Sequence, residues 1–168
     1  MAEIERLGLE GVRSLLSANH LLPAVTGLPV NFREDEATFR SDLAKLPEFV
    51  RMLTDIGCTR AATWILPFLQ KMTYEEAFEQ LRSRTAAICE VLEPFGMRYG
   101  LEYVGPQTLR AGKPEFIYNQ KGMLELIKAT GAKNLGLLLD CFHWYTSHGT
   151  VQDLDQLNDD LVVLVHVN

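Results

Sequence analysis

Three side chains able to hold a metal or move a proton follow directly on three separate apolar runs. Glu102 follows Arg98–Leu101, Asp140 follows Asn134–Leu139, and His166 follows Leu161–Val165. Runs this short and this rich in Leu and Val suit strands covered on both faces. If the strands lie parallel, their C-terminal ends share one edge of the sheet and the three groups converge there. Two carboxylates and an imidazole form a mostly hard donor set, suited to Mn²⁺ or Mg²⁺, with Co²⁺ or Zn²⁺ also compatible. Any one of the three could be structural, because a polar residue past a buried strand is often only where the chain surfaces. Three in matched contexts favour a metal site.

The elements that must position these groups alternate along the chain. Ile4, Leu7, Val12, Leu15 and Leu16 recur at near-helical spacing across Gly8 and Gly11, and Leu21 to Val30 then reads as strand and loop, punctuated by Pro23, Gly27 and Pro29. Glu36 to Ile56 predicts a helix stopped at Gly57, with Pro47 able to bend it. Thr59 to Leu66 predicts a strand with Trp64 near its C-terminal end. Thr73-x-x-Glu76 is a capping-box pattern ahead of an amphipathic run that ends at Pro94 and Gly96. Strands over Arg98–Val104, Asn134–Asp140 and Leu161–Val167 follow, separated by helices over Lys121–Thr130 and Val151–Leu157. Five strands separated by helices imply parallel pairing with right-handed crossovers, in one domain spanning residues 1–168.

Composition narrows the function. A formal net charge of −6 disfavours nucleic acid and anionic membranes as partners and favours a small molecule. Cys58, Cys89 and Cys141 form no C-x-x-C pair, and no signal peptide or membrane span is evident, so a cytoplasmic location is expected. Neither the G-x-G-x-x-G turn of a dinucleotide fold nor a P-loop occurs. Candidate residues at the ends of several strands favour a closed (β/α) barrel over an open sheet.

Gly100-Leu101-Glu102-Tyr103-Val104-Gly105-Pro106, Leu138-Leu139-Asp140-Cys141-Phe142-His143-Trp144-Tyr145 and Val163-Leu164-Val165-His166-Val167-Asn168 together resemble the sugar phosphate isomerase/epimerase proteins of the xylose-isomerase-like barrel superfamily. The resemblance implies an α/β fold, a parallel (β/α) barrel of TIM type. It also implies one divalent metal held by a Glu, an Asp, a His and a final Glu from the fifth to eighth strands, of which Glu102, Asp140 and His166 match the first three. Glu102 would be both ligand and catalytic base, for proton transfer next to the carbonyl of a sugar or sugar phosphate. His143 would touch a substrate hydroxyl, or pack beside Phe142 and Trp144; Trp64 would wall a sugar ring, or belong to the core.

With 168 residues against the roughly 250 of a typical barrel, the chain is expected to be an incomplete barrel of about five β/α units, lacking the first two strands and the eighth. It is accordingly expected to be inactive alone and to self-associate through open sheet edges. Arg110 and Lys113, on the loop after Glu102, could meet a phosphate or be merely solvated. His20 and His148 receive no role. Two other readings remain: an endonuclease IV-like DNA-repair hydrolase, for which four His and an acidic chain fit poorly, and a non-catalytic remnant or assembly subunit.

Overall fold

The computed structural model describes residues 2–168, with side chains from Arg6 onward. Four parallel strands in the order β1-β2-β3-β4 form its sheet: β1 Arg60–Trp64, β2 Arg98–Glu102, β3 Leu135–Asp140 and β4 Val162–His166. Between them run α3 Tyr74–Leu92, α5 Gln120–Thr130 and the short α6 Cys141–Thr146 and α7 Val151–Leu154; α4 Gln107–Arg110 is a single turn after β2. Ahead of the sheet lie α1 Ala2–Ala18 and α2 Glu36–Asp55. This is a TIM-barrel-like arrangement of β/α units.

The helices begin and end where side chains satisfy their free backbone groups. Asp35 caps α2 by accepting from the Thr38 amide at 2.9 Å. Thr73 and Glu76 close the expected box on α3, with Thr73 N–H donating to Glu76 at 2.9 Å and Glu76 N–H to the Thr73 hydroxyl at 3.3 Å. Pro47 does not stop α2, which continues to Asp55. Gly8, by contrast, takes φ 68° and kinks α1, as its lack of a Cβ permits.

One expected strand is corrected. Between Leu21 and Val30 only Thr26 pairs, in a single parallel bridge to Ala61 that uses Thr26 N–H to Arg60 O and Ala62 N–H to Thr26 O. Pro23 and Pro29 have no N–H to donate, so a continuous ladder cannot form on either side of it. The segment nevertheless sits beside β1, where a fifth strand would.

Helices α2, α3 and α5 cover one face of the sheet. Leu46, Val50, Ile88, Leu92, Met123 and Leu126 are almost fully buried against Tyr99, Leu101 and Leu137. The other face carries Ala62, Trp64, Glu102, Leu138, Leu164 and His166, which line a cleft. Two glycines let the strands fit. A Cβ on Gly136 would come within 2.3 Å of the Leu161 carbonyl, and one on Gly100 within 3.3 Å of Val163 Cβ. Beside them the β3–β4 register slips by one residue, from Leu137↔Val162 to Leu138↔Leu164. That slip makes His166, rather than Val165, the partner of Asp140.

Candidate metal centre

Parallel pairing brings the strand ends to one edge. His166 Nδ1 lies 3.7 Å from Glu102 Oε1 and 3.6 Å from Asp140 Oδ2. These separations are too long for hydrogen bonds. They are a few tenths of an ångström wider than two ligands sharing one ion, which at ~2.1 Å each stand roughly 3 to 3.5 Å apart, so a small closure would seat an ion. A second imidazole is close as well: single ligand atoms of Glu102, Asp140 and His143 lie within 4.8 Å of one another.

Each group is held by its own element. Asp140, the last residue of β3, is also the N-cap of α6; its Oδ1 accepts from the His143 amide at 3.0 Å and its Oδ2 from the Asn168 side-chain amide at 3.1 Å. Asn168 ties the same corner again by accepting from Phe142 N–H at 3.2 Å. The Gly105 amide donates to His143 Nδ1 at 3.4 Å, which leaves the ring's free N–H on Nε2. A Cβ on Gly105 would lie 2.2 Å from the His143 carbonyl, so the loop after β2 reaches α6 only because that residue is glycine.

Electrostatics fit a cation. Burial, and then the neighbouring Asp140 carboxylate, push the Glu102 carboxyl above its ordinary range, with His166 opposing. Among the described residues lining the cleft there is no Lys or Arg to balance these acids. An ion bound between Glu102, Asp140 and His166 would supply that balance. Burial lowers the His143 imidazole, against the pull of Asp140, and favours a neutral ring.

The remaining candidates divide. Trp64 is 47% exposed and lines the cleft, so it is not core. Arg110 is buried instead of facing solvent or a ligand: it pairs with Glu115 at 2.8 Å, donates to the Gly105 carbonyl at 2.6 Å and stacks on Tyr118. Lys113 donates to the Leu109 carbonyl at 3.1 Å and lies over Phe68. The sequence alone does not single out Asn168. Asn168 stands two residues past His166, a spacing that places it on the same edge, but only the structure shows it turned back to Asp140.

The model of the xylose isomerase-like TIM barrel family matches residues 2–168. This chain belongs to that family. Among solved structures, a xylose isomerase domain protein from Alicyclobacillus acidocaldarius is 35% identical, with a TM-score of 0.91 over 99% of this chain and 60% of that one. The IOLI protein, solved with a bound zinc atom, shares the fold at 18% identity and a TM-score of 0.78, over 98% of this chain and 58% of its own. Two inosose isomerases match in sequence. That of Halalkalibacterium halodurans is 22% identical over 95% of this chain and 55% of its own length, and that of Bacillus velezensis 21% identical over 89% and 52%. This xylose isomerase-like chain therefore spans about half the length of the curated relatives it matches.

Proposed function

We propose that Glu102, Asp140 and His166 hold a divalent metal and that the whole protein is a sugar or sugar phosphate isomerase or epimerase. The observation that carries this reading is the placing of His166 Nδ1 within 3.7 Å of both carboxylates. Membership of the xylose isomerase-like family and sequence matches to inosose isomerases support it. Mn²⁺ or Mg²⁺ suits the two carboxylates, and the zinc of one structural relative keeps Zn²⁺ in the comparison.

When bound, the metal supplies Lewis-acid stabilisation of charge developing on the substrate's carbonyl oxygen. The rest falls to this chain's own residues. Glu102 takes a proton from the carbon beside the carbonyl; its partly desolvated carboxyl is a better base than a fully hydrated one. The Nε2–H of neutral His143 donates to a substrate hydroxyl, and the exposed Trp64 face shields the carbon skeleton from water. Epimerisation also needs proton return on the opposite face. Asp140, the other carboxylate of the cluster, stands beside Glu102 with both oxygens hydrogen-bonded, so no second base faces Glu102 among the described residues lining the cleft and turnover by these 168 residues alone is expected to be slow. A DNA-repair hydrolase is less well supported, since the described lining of the cleft offers no cation for a phosphate backbone and the chain carries a net charge of −6.

The first half of the reaction needs only one base, and this permits a direct test. Ketoses and inososes are incubated with the protein and Mn²⁺ in D₂O, and exchange of the proton beside the carbonyl is followed by NMR. Metal-dependent exchange is expected, falling about 10²-fold or more in Glu102→Gln with unchanged circular dichroism. Exchange that Glu102→Gln leaves intact would remove Glu102 as base.

A further inference from the structure

A second cavity, of about 310 Å³, opens at the C-terminal end of β1 between the segment around Phe32 and the loop leading to α3. Phe32, Phe68 and Phe116 give it an apolar floor. Its polar wall is Arg33, Lys71, Gln70 and Gln80, with no Asp or Glu among the described lining. In a chain of net charge −6, two cations and two amides without an acid are a selective lining.

Arg33 is held in place before any ligand arrives. Its guanidinium lies 4.5 Å from the Phe32 ring centroid and 4.4 Å from that of Trp64, and donates to the Trp64 carbonyl. The backbone on either side is fixed by buried Arg84, which donates to the Phe32 carbonyl at 2.9 Å and the Glu34 carbonyl at 2.6 Å. Arg33 has no carboxylate partner among the described residues, and neither has Lys71, whereas Arg84 and Arg110 both do. Arg33, which lines the cavity, lies over the ring of Trp64, and Trp64 lines the cleft that contains Glu102, its partner across β1 and β2.

We propose that this cavity binds the anionic end, a phosphate or carboxylate, of the molecule whose carbonyl end lies at Glu102, with Arg33 and Lys71 neutralising it and Gln70 and Gln80 donating to it. Arg33 suits the role because its planar fork can engage two oxygens while its face stays on Trp64. Binding of an anion here is independent of the isomerase reading; its assignment to the substrate rests on that reading.

Isothermal titration at constant ionic strength, with inorganic phosphate, malonate, D-fructose and D-fructose 6-phosphate as probes, tests both parts. Phosphate or malonate is expected to bind saturably. Arg33→Met should weaken that binding about tenfold or more, and the exposed Lys71→Met, which disturbs no packing, about threefold. D-Fructose 6-phosphate should bind tighter than either phosphate or D-fructose, through Arg33. Mn²⁺ affinity should be the same in Arg33→Met as in the parent, so loss of the metal site is recognised separately. Absence of saturable anion binding, or anion affinity unchanged from the parent in both variants, would overturn the site. A sugar phosphate that binds no tighter than phosphate would overturn its assignment to the substrate.

Discussion

Asp140 is held from two sides, by the His143 amide on one oxygen and the Asn168 side chain on the other. With both oxygens oriented, the carboxylate cannot rotate away from His166 without losing a hydrogen bond. Asn168→Ala is therefore expected to lower Mn²⁺ affinity about tenfold or more, as removing a group that orients a ligand does. Calorimetric titration measures this, and an unchanged affinity would show that Asn168 only fastens α6. Glu102 gives a pH signature. Its carboxyl titrates above the ordinary range when folded, so the metal-free protein binds more protons than the unfolded chain between the two values. The stability this group contributes is present below its unfolded pKa and is lost as pH rises through the folded one. Glu102→Gln should accordingly melt progressively higher than the parent in EDTA as pH goes from about 4 to 7. With Mn²⁺ at neutral pH the order should reverse, because the variant has lost a ligand. A pH-independent difference in EDTA would mean that Glu102 is fully solvated.

At the scale of elements, the one-residue slip between β3 and β4 decides whether His166 or Val165 faces the Asp140 position. Gly136 makes room for it, since a Cβ there would meet the Leu161 carbonyl at 2.3 Å and Val163 Cγ2 at 2.9 Å. Gly136→Ala should cost about 1–3 kcal/mol as overpacking and weaken Mn²⁺ binding, although residue 136 touches no ligand. Chemical denaturation and metal titration of the variant check both effects; full metal affinity in a destabilised protein would separate the slip from the site. The slip was not legible in the sequence, because the close approach of Gly136 to Leu161 and Val163 beside it is a contact between strands distant in the chain. The ends of β2, β3 and β4 were legible, since apolar runs stop at Glu102, Asp140 and His166. The Leu21–Val30 segment was misread because its apolar residues outweighed Pro23 and Pro29, and Leu22 is 91% exposed. Helix α6 escaped notice because Phe142, Trp144 and Tyr145 show no clear helical stripe; its signal was Asp140 as an N-cap.

At the scale of the whole chain, the described sheet ends at β4. β4 pairs with β3 alone among the described strands, and its Val165 is 47% exposed, with Val167 beyond it at 84%. An edge with unpaired N–H and C=O groups and apolar side chains is a template for another strand. Tyr145 and Phe142, at 75% and 48% exposure, add apolar surface on the adjoining helix. The 168-residue chain is therefore expected to self-associate through β4, with a sedimentation coefficient that rises with concentration. Val165→Lys should shift it toward monomer, because a charge on an edge strand opposes strand addition while costing little where the side chain is already half exposed. A concentration-independent monomer for the parent would show that this edge is protected. If Val165→Lys leaves association intact, the contact lies on another face. If the variant dissociates and Mn²⁺ affinity survives, the strand-end cluster is self-sufficient within one chain; if affinity falls together with association, a neighbouring copy helps to close the site.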